Sequence, residues 1–410
     1  MDDGAIDWRA AARAEAYAIP LERIDPVDSE LFRKGAFEFY FERLRAEDPV
    51  HYSNSNPDGP YWSVTKYNDI VFVDTNHDLF SSEPAITYRD PADDFPLPMF
   101  IAMDPPRHQE QRLAVAPALA GPNLRELEPL IRSRVMAILE GLPRGETFDW
   151  VDRVSIELTS QMLATLFDFP FEDRRRLTHW SDVATAGDLE RSYQQAELRE
   201  CGAYFARLWN ERVNAPPRGD LISMLAHSEA TRHMTPEEFL GNTVLLIIGG
   251  NDTTRNSMTG GLLALNQNPR EYDKLLADPG LVPNMVSEMI RWQTPLAYMR
   301  RIATQDVELG GKRIRKGDKV LIWYVSGNRD EEVIDRPNEF LIDRPRARQH
   351  LSYGFGIHRC VGSRLAEMQL RILWEEILSR FPKIEVVGEP VRVASSFANG
   401  YSHLPVRIPL

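Results

Sequence analysis

The chain has 410 residues, 43% hydrophobic and 27% charged, with a net charge of −13. This is the composition of an ordinary globular protein, long enough to bury roughly three quarters of its surface. The negative charge argues against nucleic acid, whose phosphates need neutralising, and two cysteines, Cys201 and Cys360, cannot build a disulfide framework.

The opening stretch MDDGAIDWRAAARAEAYAIP is acidic at once and has no apolar core, so it does not read as a signal peptide. The longest apolar run, VLLII before Gly249, is far too short to span a bilayer. A soluble cytoplasmic chain is expected. A helix is predicted near 35–47, followed by VHYS and YWSVT as a hairpin around NSNPDG. Glu83 to Pro106 holds six prolines, Pro84, Pro91, Pro96, Pro98, Pro105 and Pro106, so helix cannot run through it. A loop this long is usually functional, and a lid is expected.

From Arg107 to Asn268 helical periodicity dominates. Cys201, within ELRECGAYFARLW, reads as a small buried hydrophobe on a helix. TPEE at 235–238 is a helix start, with Thr235 as cap, Pro236 at the first position and Glu238 completing a capping box. The next proline is Pro269, so this helix could extend on the order of 50 Å at 1.5 Å per residue. Another helix is predicted over 283–293, a hairpin in VELGGKRI on Gly310-Gly311, and a strand in KVLIWYV. A last helix runs from about Cys360 to Arg380, and VRVASSFANGYSHLPVRIPL reads as a C-terminal hairpin. There is no internal repeat and no Gly/Ser linker.

The long helix has a fault in its middle, GGNDTTRNS from Gly249 to Ser257. Glycine, Asn, Asp and Thr are poor helix formers. Close helix packing explains the glycines but not an acid and hydroxyls within an apolar helix. Glycines let a flat or small group approach the backbone, and a buried carboxyl is costly unless paired or used. EMIR places Glu288 and Arg291 three apart on one helix face, a weak signal by itself.

SYGFGIHRCVG, Ser352 to Gly362, presents Cys360 at a loop–helix junction, where the helix dipole and free N–H groups favour a thiolate. Such a thiolate could be a nucleophile or a metal ligand. His358 is close in sequence, but residues two apart point apart in most conformations. Zinc would need further ligands. One thiolate on an open coordination site suits haem better.

Together these pieces resemble the cytochrome P-450 family. Tyr353-Gly354-Phe355-Gly356-Ile357-His358-Arg359-Cys360-Val361-Gly362 matches its haem-ligand signature, with Tyr353 in place of Phe. GGNDTT resembles the oxygen-activation motif, EMIR the Glu-x-x-Arg motif, and DPPRHQEQR (Asp104 to Arg112) the propionate-binding segment of soluble bacterial members. NRDEE at 328–332 departs from the family's Asn-Arg-Asp-Pro at a structural turn.

The resemblance covers essentially the whole chain and implies a single domain of the mainly α P-450 fold. A β-rich lobe would come mainly from 22–80, 300–325 and 385–410, and a helical lobe from 107–300 and 350–384. Haem b would lie between the long helix and the cysteine loop, with O2 as co-substrate. By position, Cys360 would be the axial iron ligand. His108, Arg112, Arg301 and His358 would hold the propionates, and Tyr353, Gly354 and Gly362 would bind the haem as part of the cysteine loop. Gly249 and Gly250 would open the helix above the haem, and Asp252 and Thr253 would be the acid–alcohol pair for proton delivery. Glu288, Arg291 and Arg344 would brace the cysteine loop.

The wording around the motifs resembles the subfamily that hydroxylates medium-chain alkanes and fatty acids at the terminal carbon. Ile86, Met103, Leu245, Leu246, Gly249, Leu296, Met299 and Phe397 are the candidate lining residues. Six arginines and two acids lie between Asp343 and Arg371. The resemblance gives Arg346, Arg348, Arg359 and Arg364 a use, docking an acidic ferredoxin that is itself served by a ferredoxin reductase and NAD(P)H. A monomer is expected. The alternatives are a haem-thiolate sensor, a peroxide-driven or nitric-oxide-reducing relative, or a P-450 for a terpenoid or aromatic substrate.

Overall fold

The computed structural model describes residues 8–410. The first seven residues of the acidic opening stretch lie outside the described residues. The helices run over most of the chain between Arg107 and Gln293, and again over Ser363–Arg380. The main sheet has five strands. Val50–Ser53 pairs antiparallel with Tyr61–Val64, which runs parallel to Lys319–Ile322. Met299–Ala303 lies antiparallel to that strand and carries Phe80–Ser81 at the edge.

Buried apolar side chains form two clusters. One is centred on the helices, with Val135, Leu158, Phe205, Leu262 and Trp374; the other joins residues 16–86 to the sheet through Phe41, Val64, Val320 and Trp323.

The helix Pro236–Gln267 has the expected capping box: Thr235 Oγ1 accepts from Glu238 N–H at 3.2 Å, and Glu238 Oε2 accepts from Thr235 N–H at 3.4 Å. The proline-rich segment lies against its first turns. A Cβ on Gly241 would stand 2.1 Å from the Pro98 carbonyl oxygen, so only glycine permits this approach. Asn242 Oδ1 accepts from Phe100 N–H at 2.8 Å and fixes the segment's register. Among the described residues no helix is long and apolar enough to cross a membrane.

Three elements differ from the sequence expectation. KVLIWYV is strand only through Ile322, because Trp323 turns the chain (ψ 88°) into the short helix Tyr324–Gly327. The last helix starts at Ser363, with Gly362 before it, and Cys360 N–H instead ties the loop back to the Tyr353 carbonyl at 2.8 Å. The C-terminal segment is no single hairpin. Val391–Arg392 pairs with Tyr401–His403, whereas Pro405–Arg407 joins a separate sheet between Thr147–Asp149 and Glu385–Val386.

Candidate active site

A cavity of about 680 Å³ separates the middle of the long helix from the cysteine loop. Gly249, Gly250, Thr253, Thr254 and Ser257 line one wall, and Cys360, Val361 and Gly362 the other. The proline-rich segment closes one side with residues 84–92 and 99–102, so the expected lid does border the cavity. Seven of the eight candidate lining residues lie on it: Ile86, Leu245, Leu246, Gly249, Leu296, Met299 and Phe397. Met103 does not. The turn Phe100–Ala102 presents its own residues to the cavity and carries Met103 into the helical core, where it is 3% exposed.

The cysteine loop folds back on itself. Gly354 (φ +64°) and Gly356 (φ +63°) take left-handed angles that side chains disfavour. Tyr353, which replaces the family's Phe, donates its hydroxyl to the Ser363 carbonyl at 3.3 Å and ties loop to helix. The exposure of Cys360 is to the cavity, deep within the protein, so burial pushes its thiol up. The N–H groups of Gly362 and Ser363, with Arg112 and Arg359, pull it back down. A metal cation facing the sulfur would decide the balance for the thiolate.

Beside the loop stands a cluster of basic groups. His108 and His358 are buried with ring centroids 4.0 Å apart, and none of their four ring nitrogens has a hydrogen-bond partner. Burial, then the Arg112 and Arg301 guanidinium groups, push His108 down to about 4. Burial, then Arg301, push His358 down to about 2. Arg112 and Arg301 line the same cavity, where Arg112 donates to the Arg359 carbonyl at 2.5 Å. The unpartnered ring nitrogens beside Arg112, and beside Arg301 with its partner Asp74, form a site that can still accept an anion. The two carboxylates of a haem, with a cysteine sulfur below, fit this donor set.

The Glu-x-x-Arg pair is no surface decoration. Glu288 and Arg291 are fully buried, joined by a two-pronged bond at 2.7 and 2.8 Å, and Arg344 Nε adds a third contact to Glu288 at 2.9 Å. Arg291 also donates to the Asn328 carbonyl at 2.9 Å. Asn328 in turn accepts from Leu351 N–H at 2.7 Å and reaches Ser352 at 2.9 Å, at the start of the cysteine loop.

On the long helix the pair Asp252–Thr253 is divided. Thr253 borders the cavity, its hydroxyl donating to the Gly249 carbonyl at 2.8 Å. Asp252 is fully buried off the cavity, since successive helix residues point about 100° apart. Its carboxylate accepts from Thr185 (3.0 Å), Asn251 (2.9 Å) and Arg255 (2.8 Å). Burial pushes its pKa up and Arg255 opposes the rise. Arg255 continues to Asp182 at 2.7 Å, which is half exposed. The glycines also differ. A Cβ on Gly249 would meet only open space, but one on Gly250 would stand 2.6 Å from Leu163 Cδ2, so Gly250 also serves helix packing.

The cytochrome P450 family model matches residues 146–390. This chain belongs to the cytochrome P450 family. It is 34% identical to linalool 8-monooxygenase of Pseudomonas putida over 403 residues, covering 94% of this chain and 99% of that protein. It is also 34% identical to methyl-branched lipid omega-hydroxylase of Mycobacterium tuberculosis, covering 84% and 83%. Among solved structures it is similar to cytochrome P450-153 from Novosphingobium aromaticivorans, with 48% identity, TM-score 0.89, and 94% and 99% of the two chains covered. CYP153D17 from Sphingomonas sp. PAMC 26605 gives 48% identity, TM-score 0.91, and 95% and 100%. As a cytochrome P450 the chain is a monooxygenase that uses haem and O2.

Sequence reasoning missed Asp74, the contacts of Asn328, and the partners Thr185, Arg255 and Asp182 around Asp252. An acid in the otherwise apolar run IVFVDT was the available signal for Asp74. Arg255 could have been found as the i,i+3 partner of Asp252, whereas Thr185 and the partners of Asn328 lie too far apart in sequence to suggest one another. Of the six arginines, Arg344 is buried and Arg371 is paired with Glu128 at 2.7 Å and Glu375 at 2.8 Å, leaving Arg346, Arg348, Arg359 and Arg364 exposed.

Proposed function

We propose that this cytochrome P450 hydroxylates the terminal carbon of a medium-chain alkane or fatty acid, with electrons from a ferredoxin. The observation that carries this reading is the apolar cavity leading from the lid to Gly249 and Thr253, opposite Cys360. A terminal C–H bond is stronger than its internal neighbours, so selection must be geometric, by holding the chain end in place. Leu245, Leu246, Leu296, Met299, Phe397 and Ile86 give that support along the cavity wall. The similarity to a lipid omega-hydroxylase points the same way.

In this reading Cys360 would hold the haem iron through its thiolate, and His108, Arg112, Arg301 and His358 would receive the haem carboxylates. Bound haem supplies O2 activation and O–O cleavage, which thiolate ligation favours. Thr253 holds a proton at Oγ1 above the cavity. Arg255, ion-paired to both Asp182 and Asp252, holds the Asp252 carboxyl in place rather than carrying protons, and Asp252 supplies the proton by turning toward Thr253. Arg346, Arg348, Arg359 and Arg364 form the face for an acidic ferredoxin, whose own electrons come from NAD(P)H through a reductase.

The similarity to linalool 8-monooxygenase favours a second reading, an acyclic terpenoid substrate. A spin-state titration with alkanes, fatty acids and acyclic terpenoids of graded length, followed by product analysis, decides between them. Terminal alcohols from linear chains are expected. Oxidation at internal carbons, or terpenoid turnover alone, would overturn the first reading. Cys360→Ala is expected to lose the red-shifted Soret band of the reduced CO complex, and a persisting band would remove this residue from the iron.

A further inference from the structure

One buried carboxylate has no place in the scheme above. Asp74 lies in the last turn of the helix Tyr67–Thr75 and is 2% exposed. Its Oδ1 accepts from Arg301 Nη2 at 2.6 Å. Its Oδ2 accepts from the Tyr324 hydroxyl at 3.0 Å and from Phe355 N–H at 2.6 Å. Three separate elements thus converge on one side chain: the strand carrying Arg301, the short helix carrying Tyr324, and the cysteine loop.

The loop is built around this contact. A Cβ on Gly354 would stand 3.2 Å from Asp74 Oδ2, and one on Gly356 would stand 2.6 Å from the Asp74 carbonyl oxygen. The hydroxyl and the N–H could each be satisfied by a neutral carbonyl. The charge answers Arg301, whose other terminal nitrogen donates to the Arg300 carbonyl at 2.8 Å. Buried ions are held only when paired, and charge-assisted bonds are about twice as strong as neutral ones. Arg301 and Tyr324 both border the cavity.

We propose that Asp74 is a positioning residue that locks Arg301 and the cysteine loop into one register and lowers the electron affinity of the haem between them. This rests on the assignment of Arg301 to a haem carboxylate and of Cys360 to the iron. The negative charge cancels part of the Arg301 field, so the site favours the oxidised haem more than Arg301 alone would allow. Through Phe355 the same carboxylate fixes the backbone five residues before Cys360.

The test uses the haem-loaded protein and reads its midpoint potential beside the spectrum of its reduced CO complex. Asp74→Asn keeps the shape and removes the charge. The expected result is an upward shift in potential with the red-shifted CO band retained. A purely structural role would lower the denaturation midpoint or haem retention and leave the potential of the intact fraction unchanged, which would overturn the proposal. If Asp74→Asn cannot be recovered with haem, Tyr324→Phe is read instead. It strips one donor from the carboxylate and leaves its charge, so a smaller downward shift supports the proposal and an unchanged potential overturns it. Failure of the underlying assignment would show separately, as a wild-type protein without the red-shifted band.

Discussion

Two buried basic clusters stand near the cysteine loop and are built on opposite plans. Around Glu288 every donor of Arg291 and Arg344 has a partner, either the glutamate or a backbone carbonyl of residues 328–339. Around His108 and His358 the ring nitrogens have none, and Arg112 makes one bond to a backbone carbonyl. The first cluster is closed by the chain itself and belongs to folding. In the second, Arg301 is already answered by Asp74 and the Arg300 carbonyl, but the ring nitrogens stay open to an external anion. Both gather basic side chains beside one loop; the difference lies in whether their hydrogen-bonding capacity is already spent.

The largest effect should come from opening the closed cluster. Glu288→Gln leaves two buried guanidinium groups without their counter-charge and should destabilise the fold by about 3–5 kcal/mol. Equilibrium denaturation would check this, and a loss near zero would place the cluster outside folding. In the open cluster, His358→Ala should cost one charge-assisted bond to a haem carboxylate, about 1.5–3 kcal/mol, or roughly 10- to 100-fold faster haem loss. Transfer of haem to an acceptor protein measures it. Equal losses of fold stability in both variants would erase the contrast.

Acid sharpens the same comparison. The folded chain holds His108 near 4, below its ordinary 6.5. The unfolded chain therefore takes up a proton that the folded one refuses. The resulting stability is full above about pH 6.5 and is lost as pH falls toward 4. Haem carboxylates, if held by these rings as proposed, would oppose that local field. The denaturation midpoint should therefore fall more steeply with acid in the haem-free protein than in the loaded one. The smallest effect belongs to the exposed arginines. Arg348 is 81% exposed and within 3.9 Å of Glu367 only loosely. Arg348→Glu or Arg364→Glu should slow reduction by a ferredoxin a few-fold, more at low salt, with stability unchanged. Stopped-flow reduction at two ionic strengths reads this, and equal rates would discard that face.

What could be read from the sequence was whatever short spacing encodes. The capping box at Thr235 and Glu238, the glycine turns of the cysteine loop and the i,i+3 pair Glu288–Arg291 each place their partners within a few residues. The proline-rich segment announced itself by composition, because proline forbids helix wherever it falls. Seven of the eight residues named from sequence line the cavity; for Leu245, Leu246 and Gly249 the helix motif fixes the side, and Ile86, Leu296, Met299 and Phe397 rested on the family resemblance. Met103 failed because a single turn at Phe100–Ala102 rotates it away, and nothing local signals that rotation.

Tertiary structure alone decided which charged groups are answered. Asp74 meets Arg301 across 227 residues and Phe355 across 281, and Asn328 meets the cysteine loop across 23. It also turned Asp252 toward Thr185 and left Thr253 at the cavity. A side chain's chemistry is written in the sequence, but its electrostatic state depends on neighbours that only the folded chain brings within hydrogen-bond reach.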